Sequence, residues 1–296
     1  MGSTGQLSTR RMQEPISAGR KPIPVSTILL TALFLFLGFV FVLPLYWLFI
    51  SSLKPQQQIF AYGFKLIPAQ VTLDNYHRLF SELPFERWFV NSVLQSAGYA
   101  IVTVSVCALG GFALAKYRFP LRNTIFFSIL LVQMIPFHLL IVSLFVIIID
   151  LHLVDRYWGA ILPLAAHPIG IFFMRQYMLS LDDEMLNSAR VDGANEYRLF
   201  FSIVLPNIRP AVATLLVLFS LEYWNNLLWP LIVFRSDDKF PLAVGIAALV
   251  NTSYRPAYDL AMAAASLATL PILVLFFLLR RQFMEGITAY GTGLEK

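Results

Sequence analysis

The sequence has 296 residues, of which 58% are hydrophobic and only 13% are charged. A soluble domain carries about a quarter charged residues, so this chain has too few to cover a water-exposed surface. The net charge of +5 does not indicate a nucleic-acid partner, because Lys and Arg are scattered near the ends of apolar segments. Cys107 is the single cysteine, which excludes a disulfide framework and a cysteine zinc site.

The N-terminal 25 residues are polar and basic, and the apolar segment that follows is too long for the core of a signal peptide. It also lacks an obvious cleavage site. We therefore predict a short cytoplasmic tail over residues 1–25, followed by an uncleaved first membrane span.

Six apolar segments are each long enough to cross a hydrocarbon core of about 30 Å as a helix. They cover residues 27–50, 93–115, 124–149, 158–178, 211–234 and 258–279. Six spans place both termini on one side, and most Lys and Arg residues fall in the segments on that side. The positive-inside rule makes that side cytoplasmic. The sequence therefore predicts an all-α integral membrane protein, embedded in a lipid bilayer, with six transmembrane helices and cytoplasmic termini.

The domain organisation follows from these spans. Residues 26–87 comprise the first helix and a long external loop, and residues 88–281 form the transmembrane core. A second cytoplasmic tail covers residues 282–296.

One cytoplasmic connection, over residues 181–210, is too long and too patterned for a simple linker. Three acidic residues at 182–184 suit the positive end of a first short helix, which Gly193 ends. Asn195 is placed to cap a second helix that runs to about Leu205.

This second helix is expected to carry Tyr197, Phe200, Phe201 and Val204 on one face. An apolar face outside the bilayer needs a partner. The alternative is an amphipathic surface loop in which Asp-Gly-Ala occurs by accident.

The run from residue 187 to residue 210 resembles the EAA signature of permeases in binding-protein-dependent ABC importers. That signature has Glu-Ala-Ala, three residues to a Gly, and a Leu-Pro about a dozen residues beyond the Gly. The matching residues are Ala189, Asp192, Gly193, Ala194, Phe200, Leu205, Pro206 and Pro210. Asn187 and Ser188 depart from the pattern, since the family usually has Glu and Ala there.

Weaker matches extend the resemblance over most of the chain, toward the carbohydrate-uptake branch that includes the maltose-type second permease. They include Ser52-Leu53-Lys54, Asn75-Tyr76, Asn91-Ser92, Met134-Ile135-Pro136, Trp224-Asn225-Asn226 and Pro230-Leu231. The resemblance implies a type I ABC importer (MetI-like) permease fold in a multi-pass protein of the bacterial plasma (inner) membrane.

By this resemblance, the loop docks on a cytoplasmic ATP-binding subunit and couples ATP hydrolysis to transport. The implied coupling residues are Asn187, Ser188, Ala189, Asp192, Gly193, Ala194, Phe200, Leu205 and Pro206. The resemblance also implies a homologous permease partner, two ATPase subunits and an extracytoplasmic solute-binding protein. The sequence has no GxxxxGK[ST] phosphate loop, so ATP and Mg are expected in the partner subunits. No cofactor, metal site or catalytic residue is expected in this chain.

Glu222 is the one acidic residue predicted near the bilayer midplane, about 18 Å beyond Pro210 in the fifth span. A helix would place Asn225, Asn226 and Trp229 on one stripe with it. Such a stripe offers hydrogen bonds and a stacking surface to a sugar, or else binds neighbouring helices as buried polar groups. The predicted substrate pathway is Glu222, Asn225, Asn226, Trp229, Gln133 and Met134.

Other polar or helix-breaking residues in the spans have less specific interpretations. His138 and His167 are interpreted as packing residues. Pro136, Pro163 and Pro168 are expected to interrupt their helices, mostly as static kinks.

The preferred function is a permease subunit that moves a sugar or sugar-like solute inward by alternating access, driven by a separate ATPase. One alternative is a proton-coupled secondary transporter that uses Glu222, which would predict internal repeats and leave the loop unexplained. A membrane-embedded enzyme is a second alternative, but the sequence shows no convincing catalytic cluster at a membrane face.

Overall fold

The structure is a computed structural model that describes residues 24–60, 66–251 and 256–291, with side chains described as far as Phe277. The regular elements in these ranges are all helical. The chain divides into two compact units, Met1–Tyr46 and Trp47–Lys296. Most of the predicted N-terminal tail and the last five residues of the predicted C-terminal tail lie outside the described residues.

Residues 25–46 of helix α1 (Val25–Ser52) lie in the first unit. Its 28 residues correspond to about 42 Å, and its most apolar window has a mean hydropathy of 2.8. It is therefore long and apolar enough to cross a bilayer, as the sequence predicts.

The second unit is built around a long central helix, α4 (Phe85–Lys116), which follows two short helices, α2 (Gln56–Ile59) and α3 (Asp74–Glu82). Its 32 residues are about 48 Å long. Gly111 allows another helix to approach it closely, because a Cβ at this position would lie 2.7 Å from the Met174 Cβ.

The next two predicted spans are bent at proline. Helices α5 (Arg122–Val132) and α6 (Phe137–Asp150) meet at 104°. Helix α7 (Tyr157–Ile161) continues in a 3₁₀ turn and meets α8 (Pro168–Leu179) at 55°. Pro136 and Pro168 stand at the two breaks, where proline lacks the N–H that a continuous helix requires. The expected interruptions are confirmed there.

The polar loop forms two arms. Helix α9 (Asp183–Val191) is the first arm, and α10 (Glu196–Arg198), a π-helical segment over residues 199–204 and α11 (Leu205–Asn207) form the second. The second arm meets the next spanning helix, α12 (Arg209–Trp224), at 79°. The prediction of two short helices is confirmed.

The fifth predicted span, residues 211–234, is not one helix. Helix α12 ends at Trp224, and a separate helix α13 (Leu228–Val233) follows. In a continuous α-helix the backbone N–H of residue 230 would donate to the carbonyl of residue 226. Pro230 has no N–H, so this hydrogen bond cannot form.

The chain then forms a 3₁₀ turn at residues 237–239, helix α14 (Leu242–Val250) and a long last helix, α15 (Tyr258–Gly291). In the described ranges, three helices are long and apolar enough to span a membrane. The number rises to six, the predicted number, if each of three bent pairs is counted as one span, although one of these pairs includes the second arm of the loop.

Two apolar clusters form the interior of the second unit. The larger packs α4 against α8 and α12 around residues such as Met174, Leu215 and Phe219. The smaller lies at the first turns of α4, where Trp88 packs with Leu242 and residues of α15. Helix α4 takes part in both clusters and therefore organises the bundle.

Candidate functional site

A cavity of about 570 Å³ lies where the helix breaks of the second unit meet the middle of α4. The break between α5 and α6, the break before α8 and the end of α12 all contribute to its wall. Its polar lining residues are Tyr99, Gln133, His167, Glu222 and Asn226. Three residues of the predicted substrate pathway therefore share one cavity.

The acidic group of this cavity faces a histidine. Glu222 Oε1 lies 3.6 Å from His167 Nε2. The imidazole also packs on Phe219, with ring centroids 4.8 Å apart, and its buried Nδ1 has no hydrogen-bond partner among the described residues. The interpretation of His167 as a packing residue is therefore incomplete, because one nitrogen faces Glu222. Its place directly before Pro168, at a helix break, is the sequence feature that could have indicated an accessible position.

The predicted stripe of polar and aromatic residues is wrong in its geometry. The Trp229 side chain is fully buried and contacts Phe137, with ring centroids 6.1 Å apart. The Asn225 amide donates to the Leu221 carbonyl of its own helix. Because α12 ends at Trp224, the positions after it no longer follow the helical spacing that places Trp229 beside Glu222.

Two further residues differ from the sequence expectation. Met134 is 78% exposed and does not line the cavity, although it adjoins Gln133 in the break after α5. Tyr99 does line it, and its ring lies 5.0 Å from the Tyr223 ring. No local pattern in the sequence distinguishes Tyr99 from other aromatic residues of the spans, so its place in the cavity could not be predicted.

The two-armed loop has the local geometry that its sequence predicts. Asp182 caps α9 by accepting from the Glu184 amide at 2.8 Å, and Asn195 caps α10 by accepting from the Arg198 amide at 2.8 Å. Gly193 has a φ of +83° between the arms, a conformation that costs a residue with a Cβ about 1–2 kcal/mol. The predicted cap at Asn195 and the glycine turn are confirmed. Asp182, predicted only as one of three acidic residues at the start of the first arm, proves to be the cap of α9.

The second arm does not present the single apolar face expected of it. Phe200 and Val204 are buried, whereas Tyr197 is 79% and Phe201 58% exposed. The π-helical winding of residues 199–204 replaces the α-helical spacing on which the prediction rested. The buried residues attach the arm to the bundle, as when Phe200 contacts Phe112 with ring centroids 5.4 Å apart.

The nine predicted coupling residues divide by exposure. Asn187, Ser188, Asp192 and Gly193 are exposed at the tip of the loop, beside Val191, which is 87% exposed. The remaining residues are half-buried or buried and hold the arms in place: Ala189, Ala194, Phe200, Leu205 and Pro206. The tip therefore offers a partner a polar surface with one prominent apolar side chain.

Two carboxylates of this loop have partners that favour their charged forms. A hydrogen bond from Lys116 lowers the pKa of Asp183. A hydrogen bond from the Tyr117 hydroxyl, with a second from Arg190, lowers the pKa of Glu196. Both carboxylates are therefore ionised at neutral pH.

A second polar cluster lies at the other end of α4. The Asp155 carboxylate accepts from the amides of Arg235 and Ser236, from the Ser236 hydroxyl and from Lys239 Nζ. Burial raises its pKa, but the hydrogen bonds from Lys239, Ser236 and the two amides outweigh burial and lower the pKa overall. This carboxylate thereby fixes the segment after α13.

Among the residues that the structure describes, no group of three His, Cys, Asp or Glu side chains can hold a metal ion.

The family model for the binding-protein-dependent transport system inner membrane component matches residues 107–288. The match includes the loop and most of the cavity wall. This chain belongs to that family of permeases. The predicted family is thus confirmed, and with it a multi-pass protein of the inner membrane.

Several relatives match this permease over nearly their whole length. The arabinooligosaccharides transport system permease protein AraQ of Halalkalibacterium halodurans is 40% identical over 275 residues, covering 92% of this chain and 98% of the relative. Its Bacillus subtilis counterpart is 36% identical over 270 residues, covering 90% and 96%. The sn-glycerol-3-phosphate transport system permease protein UgpE of Shigella flexneri is 32% identical over 261 residues, covering 86% and 93%.

Solved structures agree with the fold of this permease. A bacterial ABC transporter involved in the import of the acidic polysaccharide alginate matches with a TM-score of 0.75 at 20% identity, over 88% of this chain and 96% of that chain. The alginate transporter in complex with an alginate pentasaccharide-bound periplasmic protein matches with a TM-score of 0.58 at 18% identity, over 87% and 94%. The MetI-like permease fold is confirmed. The comparisons support the ABC permease and not the proton-coupled alternative.

Proposed function

We propose that this permease pairs with a homologous permease and two ATP-binding subunits to import an uncharged sugar or sugar-like solute by alternating access. The tip of the two-armed loop contacts an ATPase on the cytoplasmic side, where both chain termini also lie. ATP and Mg bind to the partner subunits, while this chain catalyses no reaction and holds no cofactor.

The exposed loop tip is the observation that carries the coupling function. Capped arms and a glycine turn give the tip one defined shape. The exposed Val191 and Tyr197 side chains leave apolar area in water that a partner would cover. Asn187 replaces the usual acid of the signature with an amide, which still offers both a donor and an acceptor to the ATPase.

The cavity supports a polar solute. Tyr99, Gln133 and Asn226 offer a hydroxyl and two amides to the hydroxyl groups of a sugar. The apolar residues of the wall, such as Phe137 and Leu140, shield these hydrogen bonds from the lipid.

The charge of the cavity favours an uncharged solute over an anionic one. Glu222 is the one carboxylate of the described lining, and that lining contains no Lys or Arg. An anion beside Glu222 would meet a like charge in a site of low dielectric. One relative is named for arabinooligosaccharides, which are uncharged, and another for sn-glycerol-3-phosphate, which is an anion. The lining of this cavity suits an uncharged solute of the first class.

The solute-binding protein is expected to dock at the end of α4 opposite the loop. There Asp155 and Lys239 hold the segment after α13 in a fixed position. A solved structure with the same fold contains a periplasmic binding protein, which supports a partner of that kind for this chain.

Transport by the complete complex in proteoliposomes tests this function. Uptake of an uncharged arabino-oligosaccharide should require ATP, the binding protein and both permeases, and should survive collapse of the proton gradient. Uptake that continues without ATP and stops when the proton gradient collapses would overturn the proposal.

A further inference from the structure

Two consecutive residues at the end of α4 hold both arms of the coupling loop. Lys116 holds the first arm. Its Nζ donates to the Leu181 carbonyl at 2.7 Å and lies 2.5 Å from Asp183 Oδ1. The Lys116 side chain is only 5% exposed, whereas that of Asp183 is 75% exposed. A buried ammonium group thus anchors the exposed first turn of α9.

Tyr117 holds the second arm. Its hydroxyl donates to Glu196 Oε2, at the first residue of α10. Arg190 Nε donates to the other oxygen of the same carboxylate at 3.1 Å, and Arg190 Nη1 lies 3.3 Å from the Asn187 side-chain oxygen. Since Arg190 belongs to α9, the Glu196 carboxylate links α4 to both arms across the glycine turn.

The same helix reaches the cavity and the far end of the bundle. Tyr99 lies 17 positions before Lys116, about 26 Å along α4, and lines the cavity. Nearer the start of α4, the Asn91 amide donates to the carbonyls of Asp238 and Phe240, at 2.8 and 3.0 Å. The Gln95 amide donates to the Lys239 carbonyl at 3.0 Å.

Helix α4 is suited to transmit movement because it is continuous. The three bent pairs change direction by 55° to 104°, whereas α4 runs unbroken from Phe85 to Lys116. Hydrogen bonds at its two ends are directional. The apolar contacts of the second arm, such as Phe112 with Phe200, are less directional and allow more sliding.

We propose that Lys116 and Tyr117 are positioning residues that fasten the coupling loop to α4, so that displacement of the loop by an ATPase moves α4, the cavity wall and segment 237–242 together. This inference rests on the proposed contact between the loop tip and an ATPase. Without the hydrogen bonds of Lys116 and Tyr117, the loop still moves with the ATPase, but α4 moves less with the loop. ATP is then hydrolysed without transport.

The test compares solute transported per ATP hydrolysed in proteoliposomes that contain the complete complex. Tyr117→Phe removes one hydroxyl and keeps the ring that packs on Phe112. Lys116→Met keeps an unbranched side chain as far as the ε position but removes the charged ammonium group. Each variant is expected to lower the ratio about fivefold, at the small end of coupling energies between sites.

A matched control is Tyr177→Phe in α8, whose hydroxyl has no hydrogen-bond partner among the described residues; it should leave the ratio unchanged. Lys116→Arg preserves a charged donor and is expected to restore at least half of the wild-type ratio. A ratio that stays at the wild-type value in both Tyr117→Phe and Lys116→Met overturns the proposal. So does a fall in the ratio that merely parallels a loss of thermal stability or of bound ATPase.

A second measurement tests whether α4 connects the two ends. Asn91→Leu removes an anchor at the far end, and is expected to lower the stimulation of ATP hydrolysis by the solute-loaded binding protein. If α4 transmits the signal, the double variant Asn91→Leu, Tyr117→Phe lowers the stimulation by a smaller factor than the product of the factors for the two single variants. Multiplicative effects would contradict transmission through α4.

Failure of this inference differs from failure of the proposed function. Gly193→Val distorts the loop tip directly. If the ATPase still binds and couples normally to that variant, the loop tip is not the ATPase contact and the proposed function fails. If Gly193→Val loses the ATPase while the α4 variants transport normally, only the role of α4 is wrong.

Discussion

Glu222 on α12 and His167 at the start of α8 face each other across the cavity, with 3.6 Å between Oε1 and Nε2. The two residues are 55 positions apart in the chain and meet because a helix break at Pro168 exposes the histidine beside the end of α12. This pair gives the described cavity lining its one carboxylate, which under the proposed function disfavours anionic solutes.

Replacing Glu222 with Gln should weaken the discrimination between uncharged and anionic solutes. The amide keeps a hydrogen-bonding group but removes the like-charge repulsion toward an anion. We expect the ratio of uncharged to anionic oligosaccharide uptake to fall about tenfold, which corresponds to about 1.4 kcal/mol. Competition between a neutral arabino-oligosaccharide and a uronate oligosaccharide in proteoliposomes measures this ratio. Glu86→Gln, an acid-to-amide change outside the cavity lining, is the control and should keep the wild-type ratio.

Replacing Gly193 with Val should detach the ATPase or uncouple it. A β-branched residue at a φ of +83° costs at least about 1–2 kcal/mol, so the turn between the arms changes shape. Co-purification of the ATPase with the permease measures the loss. Gly193→Asn is the matched variant, because Asn tolerates this conformation better, and it should retain most of the bound ATPase. Equal retention by Val and Asn would show that the turn geometry does not matter.

Replacing Gly111 with Val should destabilise the bundle, whereas Gly110→Ala should be tolerated. A Cβ at Gly111 lies 2.7 Å from the Met174 Cβ and 2.9 Å from the Arg175 amide nitrogen, so α4 and α8 must separate. The adjacent Gly110 places its nearest neighbour, Ile171, at an ordinary 3.8 Å. We expect a loss of about 1–3 kcal/mol for the first change, measured as a lower Tm in detergent. A similar Tm for both variants would contradict the close packing.

Replacing Asp155 with Asn should destabilise the segment after α13 in a pH-dependent way. The pKa of this carboxylate is lowered in the folded state, so its stabilising contribution is present above the unfolded-state value of about 4. The contribution is lost as the pH falls through the lower folded-state pKa. The difference in Tm between wild type and variant should therefore stay constant from pH 5 to 8 and shrink below about pH 4.

The control for this prediction is Asp150→Asn, since Asp150 has no side-chain hydrogen bond among the described residues. Its Tm should follow that of the wild type throughout. A difference for Asp155→Asn that grows as the pH falls below 4 would mean that the protonated carboxyl, not the carboxylate, holds the segment.

The spans, the breaks at Pro136 and Pro168, and the cap at Asn195 could be predicted because each depends on a few neighbouring residues. Hydrophobic length, a missing amide and a side chain that bonds an amide two or three residues on are local properties of the chain. The glycine turn belongs to the same class, and the family resemblance rests on such local features.

The tertiary structure determines the contacts between distant segments, which these local rules do not describe. The stripe predicted after Glu222 failed because the helix ends at Trp224, and Trp229 is buried against Phe137, a residue of another helix. His167 and Tyr99 join Glu222 in one cavity, and Lys116 and Tyr117 reach the two arms of the loop, only because distant segments pack together. Local sequence determines where a helix begins, bends and turns, whereas long-range packing determines which side chains meet, because those contacts depend on the arrangement of all the helices at once.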